Sequence, residues 1–197
     1  MNEIINKNDT EKIKTALLKK RNAIQKYIEI MKEIKDSNGH ISKNKDLQKK
    51  YKNFYRMYMA RSLTEDFFNA YFKYLEDNYE NKEIEFETVI KYISNESKRI
   101  EASFSSKLLA TINPDKAIWD KNVRSHLEIP NAKSIDDAIK LYDELETKLK
   151  DKYLNTELGE EYIRIFDETF KDKDDWNLNN LTKMKKLDLV LWSLGKK

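Results

Sequence analysis

Two side chains near the middle of the chain have the types and spacing to act together. They are Lys107 and Asp120, in the stretch Ser103 to Ile129, SFSSKLLATINPDKAIWDKNVRSHLEI. An amine and a carboxylate carried on neighbouring helix ends can divide nucleophilic and electrostatic duties between them. Other chemistry finds little support. The 2 histidines, His40 and His126, are too few and too far apart for a metal centre, and there is no Walker-type glycine-lysine loop and no serine in a nucleophile elbow. The absence of cysteine excludes disulfides, thiolate metal sites, a cysteine nucleophile and a cysteine-held iron–sulfur cluster. No metal and no other cofactor is expected.

Lys107 and Asp120 meet only if the elements around them form a hairpin. Ser103 and Ser105 can accept hydrogen bonds from the free amides of a helix start, and Leu108, Leu109 and Ile112 give that helix its apolar stripe. Pro114 ends it, because proline lacks the next helical donor and forces Asn113 out of the α region. A short crossing segment, Asp115 to Ile118, leads to a second helix starting near Trp119 or Asp120. Asp120 then sits at a helix N-terminus, with Val123 and Leu127 inward and Lys121, Arg124 and His126 elsewhere around the helix.

This order of helix, turn, lysine, apolar helix, proline and then aspartate resembles the core of the helix-hairpin-helix DNA glycosylases. Asp120-Lys121-Asn122-Val123-Arg124 matches that superfamily's catalytic aspartate and following x-x-V/I-x-R helix, and Lys107 falls where bifunctional members carry their lysine. The likeness covers roughly 30 residues. It departs at the hairpin, where Arg99-Ile100-Glu101-Ala102-Ser103-Phe104 has none of the superfamily's glycines, and in a shorter lysine-to-aspartate interval. A serine-lysine-leucine and tryptophan-aspartate core with Leu191-Trp192 in the last helix is also similar to a set of uncharacterised bacterial helical proteins.

The resemblance implies roles. Asp120 would stabilise positive charge growing on a sugar as its base departs, or orient the attacking water, and Lys107 would attack the sugar carbon. Ser103, Ser105 and Ser106 would hold a phosphate at the helix start, with Lys121, Asn122 and Arg124 beside them on the DNA backbone. Trp119, or Tyr55 and Tyr58, would stack on an extruded base. Each has a plainer alternative: Asp120 as a helix cap, Trp119 as a core anchor, Lys107 as a surface charge, Arg124 as the partner of Asp120 or Asp115. Two non-enzymatic functions stand beside the glycosylase: a helical DNA- or protein-binding module, and a structural interaction protein of a mobile element.

The remaining sequence reads as scaffold. With 3 glycines and 2 prolines in 197 residues, the chain is expected to be all-α, a compact bundle of about eight to nine helices in a single domain spanning residues 1–197. Its parts are basic N-terminal helices in 1–61, the hairpin-like unit in 84–129 and C-terminal helices in 134–197. Helices are expected over about Thr10–Asp36, Asp46–Ala60 and Leu178–Leu194, with Ser62 and Glu65 as a capping box, Ser134 as a cap and Gly195 as a C-cap. The segment Tyr51, Phe54, Tyr55, Met57 and Tyr58, interrupted by Lys52 and Arg56, is read chiefly as aromatic core. Residues 1–61 carry 16 Lys and Arg against 7 Asp and Glu, a surplus of nine, while residues 135–175 carry 7 against 14. That asymmetry allows a basic face toward DNA, the expected partner, and equally an ordinary solvated one. No apolar run is long enough to span a bilayer and no signal-peptide core is present, so a cytoplasmic monomer without membrane contact is expected.

Overall fold

The computed structural model describes residues 7–59, 63–173 and 176–195. Among them are nine α-helices and no strand: α1 Lys7–Asp36, α2 Lys45–Phe54, α3 Glu65–Asn78, α4 Phe86–Ser97, α5 Ala102–Ile112, α6 Lys121–His126, α7 Ile135–Leu149, α8 Glu157–Phe170 and α9 Lys183–Leu194. The protein is thus an all-α multi-helix bundle. Short polar side chains start most of these helices by accepting from amides that would otherwise lack partners: Asn44 from Leu47, Thr64 from Phe67, Ser134 from Asp137 and Thr182 from Lys185.

Several boundaries differ from expectation for local reasons. The second helix stops at Phe54 rather than Ala60, because Arg56 takes a left-handed conformation (φ 53°) before a 3-10 turn at Met57–Met59. Ser62 lies outside the described residues, and Thr64 does the capping. The last helix begins at Lys183 rather than Leu178, since Leu178–Asn180 is a separate 3-10 turn. Gly195 is a C-cap but not a left-handed one (φ −59°); a side chain there would collide with Asn122, so close approach explains the glycine.

Helix α9 holds the middle of the molecule, touching α1, α6 and α8. Met184 through Leu191 are all buried in sequence, polar residues included, as expected of a helix enclosed on every side. One core joins α1 residues Ile13, Leu17 and Ile24 to Ile165 and Phe166 of α8 and Val190 of α9. The larger core is built from α2 to α5 and α7, where Phe86 and Tyr142 stack at 3.8 Å between ring centroids.

Helices α4, α5 and α7 hold the central unit. The turn between α4 and α5 forms without glycine because Lys98 adopts the left-handed conformation itself (φ 57°), at a cost of about 1 kcal/mol. Tyr51 of α2 and Tyr71 of α3 then fix α5 from beside it. Their hydroxyls lie 3.1 Å apart, Tyr71 donates to the Phe104 carbonyl at 3.1 Å, and Tyr51 and Thr111 are paired at 2.9 Å.

At the end of α7 the chain widens into a π-helical stretch, Lys150–Leu154, before α8 starts at the Thr156 cap. Gly159, in the first turn of α8, sits so close to the Tyr153 carbonyl oxygen that an added Cβ would overlap backbone. Gly159→Ala is expected to destabilise the fold by about 3 kcal/mol, as backbone cannot swing aside like a side-chain tip. A urea melt showing Gly159→Ala as stable as the parent would refute that packing.

Candidate functional site

The segment that carries Asp120 is held by side chains at nearly every step. Asn113 accepts from the Asp115 amide at 3.1 Å, and Glu146 of α7 accepts from the Ala117 amide at 3.2 Å. Tyr142 donates to the Ala117 carbonyl at 2.7 Å, and Ser106 of α5 accepts from the Trp119 amide at 2.9 Å. A non-helical strand of backbone crossing a core needs such partners for its peptide groups. The result is a fixed position for Asp120, whose Oδ1 accepts from the Asn122 amide at 2.7 Å as the cap of α6.

Lys107 points from the middle of α5 into an aromatic corner. Its Nζ lies 5.1 Å from the Phe104 ring centroid and 5.5 Å from that of Tyr55, and donates to the Tyr55 carbonyl at 3.4 Å. Burial pulls its pKa down from the usual lysine value to about 8, opposed by the negative charges of Asp120, Glu101 and Asp188. Lys107 and Asp120 therefore belong to one electrostatic neighbourhood, and an appreciable fraction of the amine is neutral near pH 8.

Two further carboxylates in that neighbourhood escaped the sequence reading. Glu101 precedes α5, with its pKa raised by burial and its Oε1 buried without a hydrogen bond. Asp188 of α9 is 8% exposed and pairs with Lys185, itself 3% exposed, at 3.0 Å. Lys185 also lies 4.6 Å from the Tyr27 ring centroid. Burial raises the Asp188 pKa even though Lys185 pulls the other way. One signal was present in the sequence: a lysine and an aspartate three apart on the same stripe as Met184, Leu187 and Leu191.

The other anticipated site residues are placed as follows. Ser105 and Ser106 are fully buried, donating to the Glu101 and Ser103 carbonyls, so neither faces a phosphate. Glu101 takes the cap position of α5 and Ser103 lies partly buried inside its first turn, so the serines do not start the helix. Trp119 is 6% exposed and packs as core, closed to an extruded base. Arg124 pairs with neither Asp120 nor Asp115. Its guanidinium lies 4.9 Å from the Trp119 ring centroid and donates to the Ile129 carbonyl at 3.1 Å, the Pro130 carbonyl at 2.8 Å and Asn131 Oδ1 at 2.8 Å, closing the loop after α6. Asn122 donates to the Trp192 carbonyl at 3.2 Å, tying α6 to α9. Tyr55 is partly buried against Tyr51 and Phe54. Lys121 is exposed, and Tyr58 is 61% exposed.

These observations define an all-α protein in which Lys107 of α5 lies within the electrostatic reach of Asp120, Glu101 and Asp188. No protein-family model matches the chain, and no curated protein and no solved structure matches it either. Among the described residues no helix is long and apolar enough to cross a membrane, and no group of three or more His, Cys, Asp or Glu is placed to hold a metal ion.

Proposed function

We propose that this protein binds DNA and excises a base in the manner of a helix-hairpin-helix glycosylase, with Lys107 and Asp120 as its catalytic residues. The observation that carries the reading is the pKa of Lys107, lowered by burial, within electrostatic reach of the fixed carboxylate of Asp120. A neutral amine has the lone pair needed to attack the sugar C1′ carbon. As that C–N bond forms, the bond to the base breaks and its electrons leave on the base, which takes a proton. The attached nitrogen loses a proton and the sugar ring opens to an imine. Asp120 would stabilise the positive charge on the sugar through Oδ2, which makes no hydrogen bond among the described residues. Lys121 and Tyr58, both exposed, would meet the backbone and an unstacked base.

The test uses oligonucleotides carrying uracil, 8-oxoguanine or alkylated bases, with borohydride to reduce any imine to a stable protein–DNA adduct. The adduct is expected with the parent protein and absent with Lys107→Ala. Asp120→Asn keeps a good helix cap while removing the charge, so base release is expected to fall about a hundredfold with little change in stability. Adduct formation by Lys107→Ala would eliminate the assigned nucleophile.

A second reading is a non-catalytic DNA- or protein-binding module. The engagement of Ser105, Ser106, Trp119 and Arg124 inside the fold favours it. It calls for no base release from any substrate and no adduct.

A further inference from the structure

Asp120 is carried by a helix that cannot hold itself in place. α6 has 6 residues, well below the length at which a helix is stable alone in water, so outside contacts must set its position. Val123 and Leu127 are buried on its inner side, and Lys148 of α7 donates to the Leu127 carbonyl at 3.1 Å at its far end. The first turn, next to Asp120, is tied to α9 instead. The Asn122 side-chain amide donates to the Trp192 carbonyl at 3.2 Å, while the Asn122 backbone amide donates to Asp120 Oδ1 at 2.7 Å. One residue thus links the carboxylate to the end of α9.

The end of α9 is shaped to receive that residue. The Trp192 carbonyl also accepts from the Gly195 amide at 3.4 Å, so both of its lone pairs are used. Lys20 of α1 holds the Trp192 ring from outside, with its Nζ 4.6 Å from the ring centroid. Gly195 has φ −59° and ψ 138°, a conformation open to any residue, so its conformational freedom goes unused. What matters is the missing side chain, because a Cβ at position 195 would fall on Asn122 Cβ, Cγ and Nδ2. Asn122 Cβ is fixed to the helix backbone and cannot swing aside. A larger residue at 195 must therefore break the bond to Trp192 and push the first turn of α6 away from α9.

We propose that Asn122 and Gly195 are positioning residues: through Asn122, the end of α9 sets where the Asp120 carboxylate stands relative to Lys107. Their catalytic value depends on Asp120 acting as proposed above, while the positioning itself is measurable without DNA. The Asp120 charge, ahead of those of Glu101 and Asp188, opposes the effect of burial on the Lys107 amine, so moving it away lowers the pH at which that amine titrates.

NMR titration of the full chain with isotope-labelled lysine tests the inference, the Lys107 signal being the one lost in Lys107→Ala. In Gly195→Ala and in Asn122→Ala the Lys107 midpoint is expected to fall from the parent value toward that of Asp120→Asn. In an Asp120→Asn background neither replacement should lower it further, whereas a general loosening of the fold would shift it in both. Imine trapping on DNA above pH 8, where the parent amine is already largely neutral, is expected to slow about tenfold in both variants with DNA affinity unchanged. Asn122→Ala removes the tie without adding bulk and decides the matter where Gly195→Ala does not fold. A parent-value midpoint in Asn122→Ala, or a shift as large with Asp120→Asn as without it, overturns the inference. If no adduct forms with the parent protein, the glycosylase reading fails and the midpoints still decide the positioning.

Discussion

Asp188→Leu is expected to destabilise the protein by about 3–5 kcal/mol, the largest loss anticipated from any single polar replacement here. The reason is its partner. Lys185 is 3% exposed, so without Asp188 at 3.0 Å its ammonium would face the core with no opposing charge in contact. The double replacement Lys185→Met/Asp188→Leu removes both charges together and is expected to recover most of the loss, since well-packed apolar residues often match a buried ion pair. Urea denaturation of both single variants and the double closes the thermodynamic cycle. If the double variant is no more stable than Asp188→Leu, the pair is not the interaction that matters. Removing Asp188 also removes one of the negative charges that hold the Lys107 pKa up. Adduct trapping in an Asp188→Asn protein should therefore extend to lower pH than in the parent.

Alkaline pH is expected to unfold the protein steeply, because Tyr27, Tyr51, Tyr55, Tyr71 and Tyr142 all have pKa values raised chiefly by burial, Tyr51 to about 12. The direction follows from proton linkage. Above about pH 10 the unfolded chain releases these protons while the native one retains them, so stability falls as pH rises. Each fully resistant tyrosine contributes about 1.4 kcal/mol per pH unit, so five approach the whole stability of an ordinary domain within one or two units. Lys107 acts in the opposite sense over a lower window. Its folded pKa is about 8 against an ordinary value of 10.5, so the unfolded chain binds more protons between those limits. Its contribution to stability therefore rises there. A maximum near pH 9 to 10, followed by a sharp fall, is the expected profile, and Lys107→Met should flatten the rising limb. Unfolding midpoints that stay level to about pH 11, or native tyrosines that all ionise near pH 10, would remove the basis for it.

Much of the helical architecture was legible because it depends on neighbours in sequence. The inward stripe of α1, the caps Ser134 and Asp120, and the break at Pro114 follow from side-chain spacing and from which residues can supply or withhold a hydrogen bond over three or four positions. The turn between α4 and α5 was harder to anticipate. Glycine is the usual source of a left-handed residue, and the structure uses Lys98. Nothing local distinguishes such a lysine from one on a solvated face.

The site divides along the same line. That Lys107 and Asp120 lie on successive helices, with Asp120 as a cap, could be derived from residue types and spacing alone. The chain order could not decide that Ser105, Ser106 and Trp119 would be buried, that Arg124 would close its own loop, or that Asp188 and Lys185 would join the cluster from 65 or more positions away. Helix formation is set by hydrogen bonds between residues a turn apart, so it leaves its mark in the sequence. Exposure and charge environment are set by which helix faces pack together, and α9 meets α6 and α1 only through the closed tertiary structure.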